Sequence, residues 1–534
     1  MDSLDRRTGG VPARPTSHCH PTVSRGSPQY AKRPHPATPP QTKDTPMHIV
    51  MVASECAPIA KAGGLGDMVH GLAHELGARG HAVEVVLPKY DVLRYDRLWD
   101  LHKAYAGLWV PFHDQWIHCD VHFGIAEGLK CYLIEPHSAH RFFERGRVYG
   151  ERDDVERFAF FSRATLEFLF KSGKQPDILH CHDWQTGLVP VLLYEVYEHY
   201  GMTHPRVCYT LHNVAHQGVA GEHILRQVGL NPRAMMTTDR LLDHSHRGAA
   251  NLMKGGIVYS NFVTTVSPRY AQEIRQTDLG RGLQHTLNLH AAKFGGILNG
   301  VDYTVWNPET DPHIARHYGP LTLREKYRNK EALRQRFLLR DELRPIVAVI
   351  SRLDRQKGAD LIQHAVHYSI ANDCQFVMLG SATEPALEET FWRLKRQYND
   401  HPDCHLEIGY DEELAHLIYA GSDIKVIPSV FEPCGLTQMI AMRYGVVPVV
   451  RNTGGLADTV FDANYSEQDF YARNGYVFGD YSAPALEAAL KRAIGLWHRY
   501  PEYFAQLRVN GMRADHSWSH PAQHYLDVYA HMRP

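Results

Sequence analysis

Two kinds of apolar spacing alternate along the chain from Met47 onward. The first is the short unbroken run. HIVMV, VEVVLP, CYLIEP, DILHC, VCYTL, FVTTV and FGGIL occur in the first half, each followed by polar or glycine-rich residues. Such runs are expected of parallel strands covered on both faces. The second is helical spacing. After the first run, Leu65, Val69, Leu72, Ala73 and Leu76 line one face of a helix, which Gly80 and His81 end. Strand, glycine-rich turn, helix and strand make a βαβ unit. The pattern restarts in the second half with PIVAVI, QFVMLG, HLEIGY, IKVIP and VVPVVR, and a helix is predicted over DEELAHLIYAG. The chain therefore reads as α/β, in two halves. They meet near residues 299–302, before the irregular YTVWNPETDP. The expected division is 47–300 and 301–534, with a cleft between the loop-rich edges.

A length of 534 residues agrees with two domains, since one hydrophobic core rarely organises so long a chain. Charge adds little. There are 57 Lys and Arg against 59 Asp and Glu, which supports neither a nucleic-acid partner nor an anionic membrane surface. No stretch reaches the roughly 18 to 20 consecutive apolar residues of a membrane span. The start, MDSLDRRTGG, has no apolar core of a secretory signal. Nine cysteines without a CxxC pair point to a reducing compartment, with neither a disulfide framework nor a zinc site. The 36 histidines include no HExxH. Residues 1–46 stand apart, with nine prolines, seven Lys or Arg and three Asp or Glu. That composition cannot bury apolar surface, so a disordered basic extension is expected, either dispensable or a targeting segment. A chain starting near Met47 should then fold and stay active.

Candidate chemistry gathers where the predicted strands end. In open α/β sheets that is where ligands bind. Glu55, Lys61, Asp183, His212 and Asn213 all fall there. The turn KAGGLGD carries Lys61, Gly63, Gly64 and Gly66 at a strand-to-helix junction. Its glycines either admit a ligand close to the backbone, with helix-start amides facing an anion, or only allow tight helix–sheet packing. Asp67 lies in the first helical turn, where it can cap the helix or serve the site. SRLDRQKG offers Arg352 and Lys357, two cations that can grip phosphate from two directions or simply be solvated. In FEPCGLTQ, Glu432 precedes a predicted helix whose first amides, near Gly435, Leu436 and Thr437, would face anionic oxygens. Cys434 beside them lines the pocket and is not read as a nucleophile, since no general base is identifiable next to it.

Taken in order, KAGGLGD, CHDWQTGLVP, LHNVAHQG, ILNGVD, SRLDRQKG, PSVFEPCGLTQ and RNTGGLADTV resemble the bacterial and plant-type glycogen/starch synthases. The resemblance runs from about Met47 to the C-terminus. It implies two Rossmann-like domains facing across a deep cleft (the GT-B arrangement), with a final helix returning to the first domain. It implies a glucosyltransferase that uses ADP-glucose to extend an α-1,4-glucan with retention of configuration, and needs neither metal nor cofactor. It assigns the donor diphosphate to Arg352 and Lys357, with Lys61 contributing from the other domain when the cleft closes. Glu432 takes a catalytic or donor-sugar role, and His212 lies against the donor glucose. Asn251 falls near that sugar, Asp183 on the acceptor side, and Tyr410 beside the nucleotide base. A cytoplasmic location follows, or a plastid if the extension is a targeting segment. One departure is Ala62, where many bacterial members have threonine. Two rivals share the fold: a phosphorylase-like or sucrose/trehalose-type transferase, and a granule-binding protein that has lost catalysis. The joint presence of Lys61, Arg352, Lys357 and Glu432 argues against the second.

Overall fold

The unbroken apolar runs become the middles of two sheets. The computed structural model describes residues 45–382, 384–398 and 400–533, so the predicted disorder of the N-terminal extension lies outside the described residues. In the first sheet the strands follow the order Phe294–Gly296, Phe262–Thr265, Arg206–Leu211, Ile178–His182, His48–Val52, Ala82–Pro88, Leu129–His137, Gln115–Ala126 and Trp99–Phe112. The first seven run parallel to one another, and Gln115–Ala126 pairs antiparallel with both Leu129–His137 and Trp99–Phe112. The second sheet is parallel throughout, in the order Cys404–Ile408, Gln375–Gly380, Ile346–Ile350, Ile424–Ile427, Val447–Arg451 and Tyr476–Phe478.

The strands Trp99–Phe112 and Gln115–Ala126 were not expected from the apolar pattern. They lie at the sheet edge and expose Trp99, Trp109 and Trp116, so they lack the unbroken apolar signature of a covered strand.

Each sheet has a switch point, where successive crossovers turn to opposite sides. In the first it lies between His48–Val52 and Ile178–His182, and in the second between Ile346–Ile350 and Ile424–Ile427. Chain leaving these four strands can line a crevice between them.

The C-terminal helix Ser519–Met532 packs on the first sheet. Tyr525, Leu526 and Tyr529, with Trp518 just before the helix, belong to the same buried core as Met51, Val69 and Leu72. Residues from Pro46 onward form one compact unit. Across it, Glu273 of helix Pro268–Gln276 accepts hydrogen bonds from Gly454 N at 3.1 Å and Thr453 Oγ1 at 3.2 Å. Among the described residues no helix is long and apolar enough to cross a membrane.

Candidate active site

Chain from the first sheet builds one wall. After His48–Val52 the backbone loops through Glu55 to the helix Gly64–Ala78. Glu55 is buried, and its Oε2 accepts hydrogen bonds from Ala62 N at 2.6 Å and Gly63 N at 2.7 Å. Tyr149 donates to its other oxygen at 2.7 Å. Burial raises the Glu55 carboxyl above its ordinary range, against the pull of these three bonds. This corrects one expectation: the Gly63 amide holds a carboxylate of the protein itself. Lys61 Nζ lies 2.8 Å from Asp67, which settles Asp67 as its partner, and 4.0 Å from Glu412 of the opposite wall.

Asp183 follows the strand Ile178–His182 with φ +56°, a left-handed conformation uncommon for a non-glycine residue. It is turned so that its Oδ1 accepts hydrogen bonds from His212 N at 2.7 Å and Asn213 N at 3.4 Å. Burial, with the nearby charge of Glu55 adding to it, raises its carboxyl to about 7. Glu55, Asp183 and His212 thus come together from three strand ends.

Asn251 is tied into the wall by its own hydrogen bonds. It is buried, and its Oδ1 caps the helix Leu252–Tyr259 by accepting from Lys254 N at 2.9 Å. Its Nδ2 donates to Gln217 at 2.6 Å and Asp243 at 2.7 Å. Both amide protons and one lone pair of its oxygen are used in holding the wall together.

The second wall comes from the loops after Ile346–Ile350 and Ile424–Ile427. Lys357 Nζ lies 2.6 Å from Glu432 Oε2, and Ser429 donates to the same oxygen at 2.9 Å. Asp354 sets the loop by accepting from Lys357 N at 2.9 Å. Arg352 is half exposed, with its guanidinium 3.4 Å from Asp354. Gly435, at φ +73°, turns the chain into helix Thr437–Arg443, so the amides of Leu436 and Thr437 stand at its free end. Burial pushes the Cys434 thiol up to about 12, which fits a lining residue and not a nucleophile. Tyr410 is 74% exposed at the rim, near Lys61.

The motif RNTGGLADTV acquires a role here. A Cβ on Gly454 would lie 1.8 Å from the Glu432 carbonyl oxygen, and one on Gly455 2.0 Å from that of Cys434. Two glycines are therefore what allow this loop to support the backbone under Glu432. The two walls meet: a Cβ on Gly64 would lie 3.8 Å from Leu436 Cδ1.

Two walls at two switch points, one with cations beside a helix start and one with carboxylates, suit an anionic sugar donor facing a hydroxylated acceptor. Comparison with known proteins agrees. Residues 48–289 match the model of the starch synthase catalytic domain, and residues 329–506 that of glycosyl transferases group 1. Glycogen synthase 1 of Nitrosococcus oceani is 64% identical over 91% of this chain and 100% of its own length. Glycogen synthase 2 of Methylococcus capsulatus is 58% identical over 90% of this chain and 99% of its own. The chain belongs to the glycogen/starch synthase family. The catalytic domain of starch synthase IV from Arabidopsis thaliana, solved with ADP and acarbose, superposes with a TM-score of 0.89 at 43% identity. It covers 91% of this chain and 99% of that one. The family activity is glycosyl transfer: glucose passes from ADP-glucose to an α-1,4-glucan.

Among the described residues one group, Asp120, Glu135 and His137, brings ligand atoms within 4.8 Å of one another. It lies on the antiparallel edge strands, and Lys103 and Lys89 already neutralise its carboxylates at 2.6 and 2.7 Å.

Gly63 permits a direct test of ligand approach. Its φ of −159° is extended backbone, and a Cβ there would meet nothing within 4 Å. Gly63→Ala should leave the melting temperature unchanged and raise the donor KM several-fold, because the methyl fills space the ligand needs. Steady-state kinetics beside a melting curve checks this; an unaltered KM would remove Gly63 from the donor site.

Proposed function

We propose that the cleft binds ADP-glucose with its diphosphate on the second wall and its glucose between the walls, and transfers glucose to the non-reducing end of the glucan with retention. The observation that carries this reading is the Lys357–Glu432 contact at 2.6 Å. It joins the ends of two adjacent strands at the switch point and puts a cation and a carboxylate side by side. A phosphate linked to a sugar presents the complement: an anion for the cation, hydroxyls for the carboxylate.

In this reading Arg352, Lys357 and the amides near Leu436 and Thr437 stabilise the charge that grows on the departing ADP. Lys61 adds to them from the first wall. Glu432 accepts hydrogen bonds from glucose hydroxyls and favours positive charge at the anomeric carbon. His212 borders the same glucose. Asp183 orders the acceptor side through the backbone it holds, and Tyr410 flanks the base. The bond from the anomeric carbon to the phosphate oxygen breaks as the bond to the acceptor 4-hydroxyl oxygen forms on the same face. The hydroxyl proton passes to the departing phosphate oxygen, so no protein nucleophile is required. The touching walls keep water, a competing acceptor, away from the reacting carbon.

The donor preference is tested by comparing ADP-glucose and UDP-glucose at fixed glycogen, following released nucleotide. ADP-glucose should give the higher kcat/KM. A higher value with UDP-glucose would overturn the assignment of the base.

A further inference from the structure

Behind the cleft, a set of buried polar groups that the mechanism above does not use leads to His212. It begins on the C-terminal helix. Tyr529 Oη lies 2.8 Å from His180 Nδ1, and His180 Nε2 lies 2.7 Å from Thr210 Oγ1. Thr210 Oγ1 in turn lies 2.6 Å from Thr264 Oγ1. Held at both nitrogens, the His180 ring packs against His182 with centroids 4.2 Å apart. His182 Nδ1 lies 3.2 Å from His212 Nε2. His180 and His182 are fully buried, and His212 is half-buried at the cleft. Burial keeps all three imidazoles neutral, lowering His180 and His212 to about 3 and His182 well below its ordinary value.

Between two neutral imidazoles one nitrogen must donate and the other accept. The two arrangements are not equivalent. With its proton on Nε2, His182 would bury an N–H without a partner, because that nitrogen meets no hydrogen-bonding group. Orphaned buried N–H groups are rarer than unpaired acceptors. With the proton on Nδ1, His182 donates to His212 Nε2 and leaves only a lone pair unpaired. His212 must then carry its own proton on Nδ1. We propose that His182 is a positioning residue that fixes His212 as the Nδ1–H tautomer, so that the imidazole offers a donor to the cleft at the nitrogen His182 leaves free. The inference rests on the reading above, in which His212 borders the donor glucose. A donor there matches a sugar oxygen.

The test uses the full chain. Long-range ¹H–¹⁵N correlation spectra of histidine-labelled protein report the tautomer, with the His212 signals identified by their loss in His212→Ala. Wild type should show His212 protonated at Nδ1. His182→Leu should shift it toward a mixture, and His182→Asn, whose amide nitrogen falls near the place of Nδ1, should restore it. kcat should fall about tenfold in His182→Leu, the loss expected from one misaligned hydrogen bond, and recover in His182→Asn. ADP affinity by calorimetry should stay at the wild-type value in both. An Nε2–H His212 in the wild type overturns the inference without reference to any variant. A His182→Leu enzyme with tautomer and kcat unchanged also overturns it. If His212→Ala itself keeps full kcat, the assignment of His212 to the sugar fails instead, whatever the spectra show.

Discussion

Glu432→Ala should lower kcat by roughly 100-fold or more while leaving ADP affinity intact, and Lys357→Ala should lower both. The two side chains touch at 2.6 Å, so a casual expectation is that removing either has the same result. The chemistry separates them. Lys357 faces charge that increases as the anomeric bond breaks, so its contribution is larger in the transition state than in the ground state. It also meets the same charge in free ADP, and its loss must weaken product binding. Glu432 has no attraction for a diphosphate. Its carboxylate holds the ammonium of Lys357. Without that carboxylate, Lys357 is freer to pair with phosphate, and ADP should bind as well as to the wild type or better. Calorimetric titration of ADP into both variants, beside their kcat values, is the measurement. If Glu432→Ala lost ADP affinity as severely as Lys357→Ala, Glu432 would be a structural residue shaping the turn before Gly435.

The parts of the site legible in the sequence are those whose signal is local. Arg352, Lys357 and Glu432 each follow an unbroken apolar run, and position after a strand is enough to bring them to the crevice. The parts that escaped depend on contacts distant in sequence. Glu55 reads from sequence as a polar residue at a strand end, but its hold on the Ala62 and Gly63 amides depends on the loop closing back on it. Gly454 and Gly455 were a turn before a helix until the Glu432 carbonyl appeared where a Cβ would stand. His182 carries no local signal, because a buried ring contributes through a nitrogen whose partner is 30 residues away. Asn251 was the opposite case. Its role as a cap is legible locally, since Asn just before a helix is a start signal. The edge strands at 99–126 carry no unbroken apolar run: most of Trp99–Phe112 faces water, and neither strand shows a clean alternation.

Asp183→Asn should make the protein more stable at alkaline pH and less active above about pH 7, where the wild-type carboxyl is ionised. Asp183 stands at about 7 in the folded chain, against about 3.9 for a free aspartate. A folded value above the unfolded one means that the native state holds the proton more tightly. The contribution of Asp183 to stability is therefore fully present below about pH 3.9 and is lost as pH rises through about 7. Above that, the buried charge costs at most about 4 kcal/mol, three pH units at 1.36 kcal/mol each. Asparagine keeps an oxygen for the His212 and Asn213 amides and carries no charge to desolvate. Its melting temperature should match the wild type near pH 4 and exceed it by several degrees at pH 8.5. Activity should move the other way. A negative oxygen holds those amides more firmly than a neutral one, and a small displacement of His212 at the sugar can cost up to about 100-fold in rate. Melting curves from pH 4 to 9, with kcat on the same preparations, give both quantities. A variant that melts below the wild type at pH 8.5 would show that the ionised carboxylate is stabilised in the native cleft, and that burial does not dominate at Asp183.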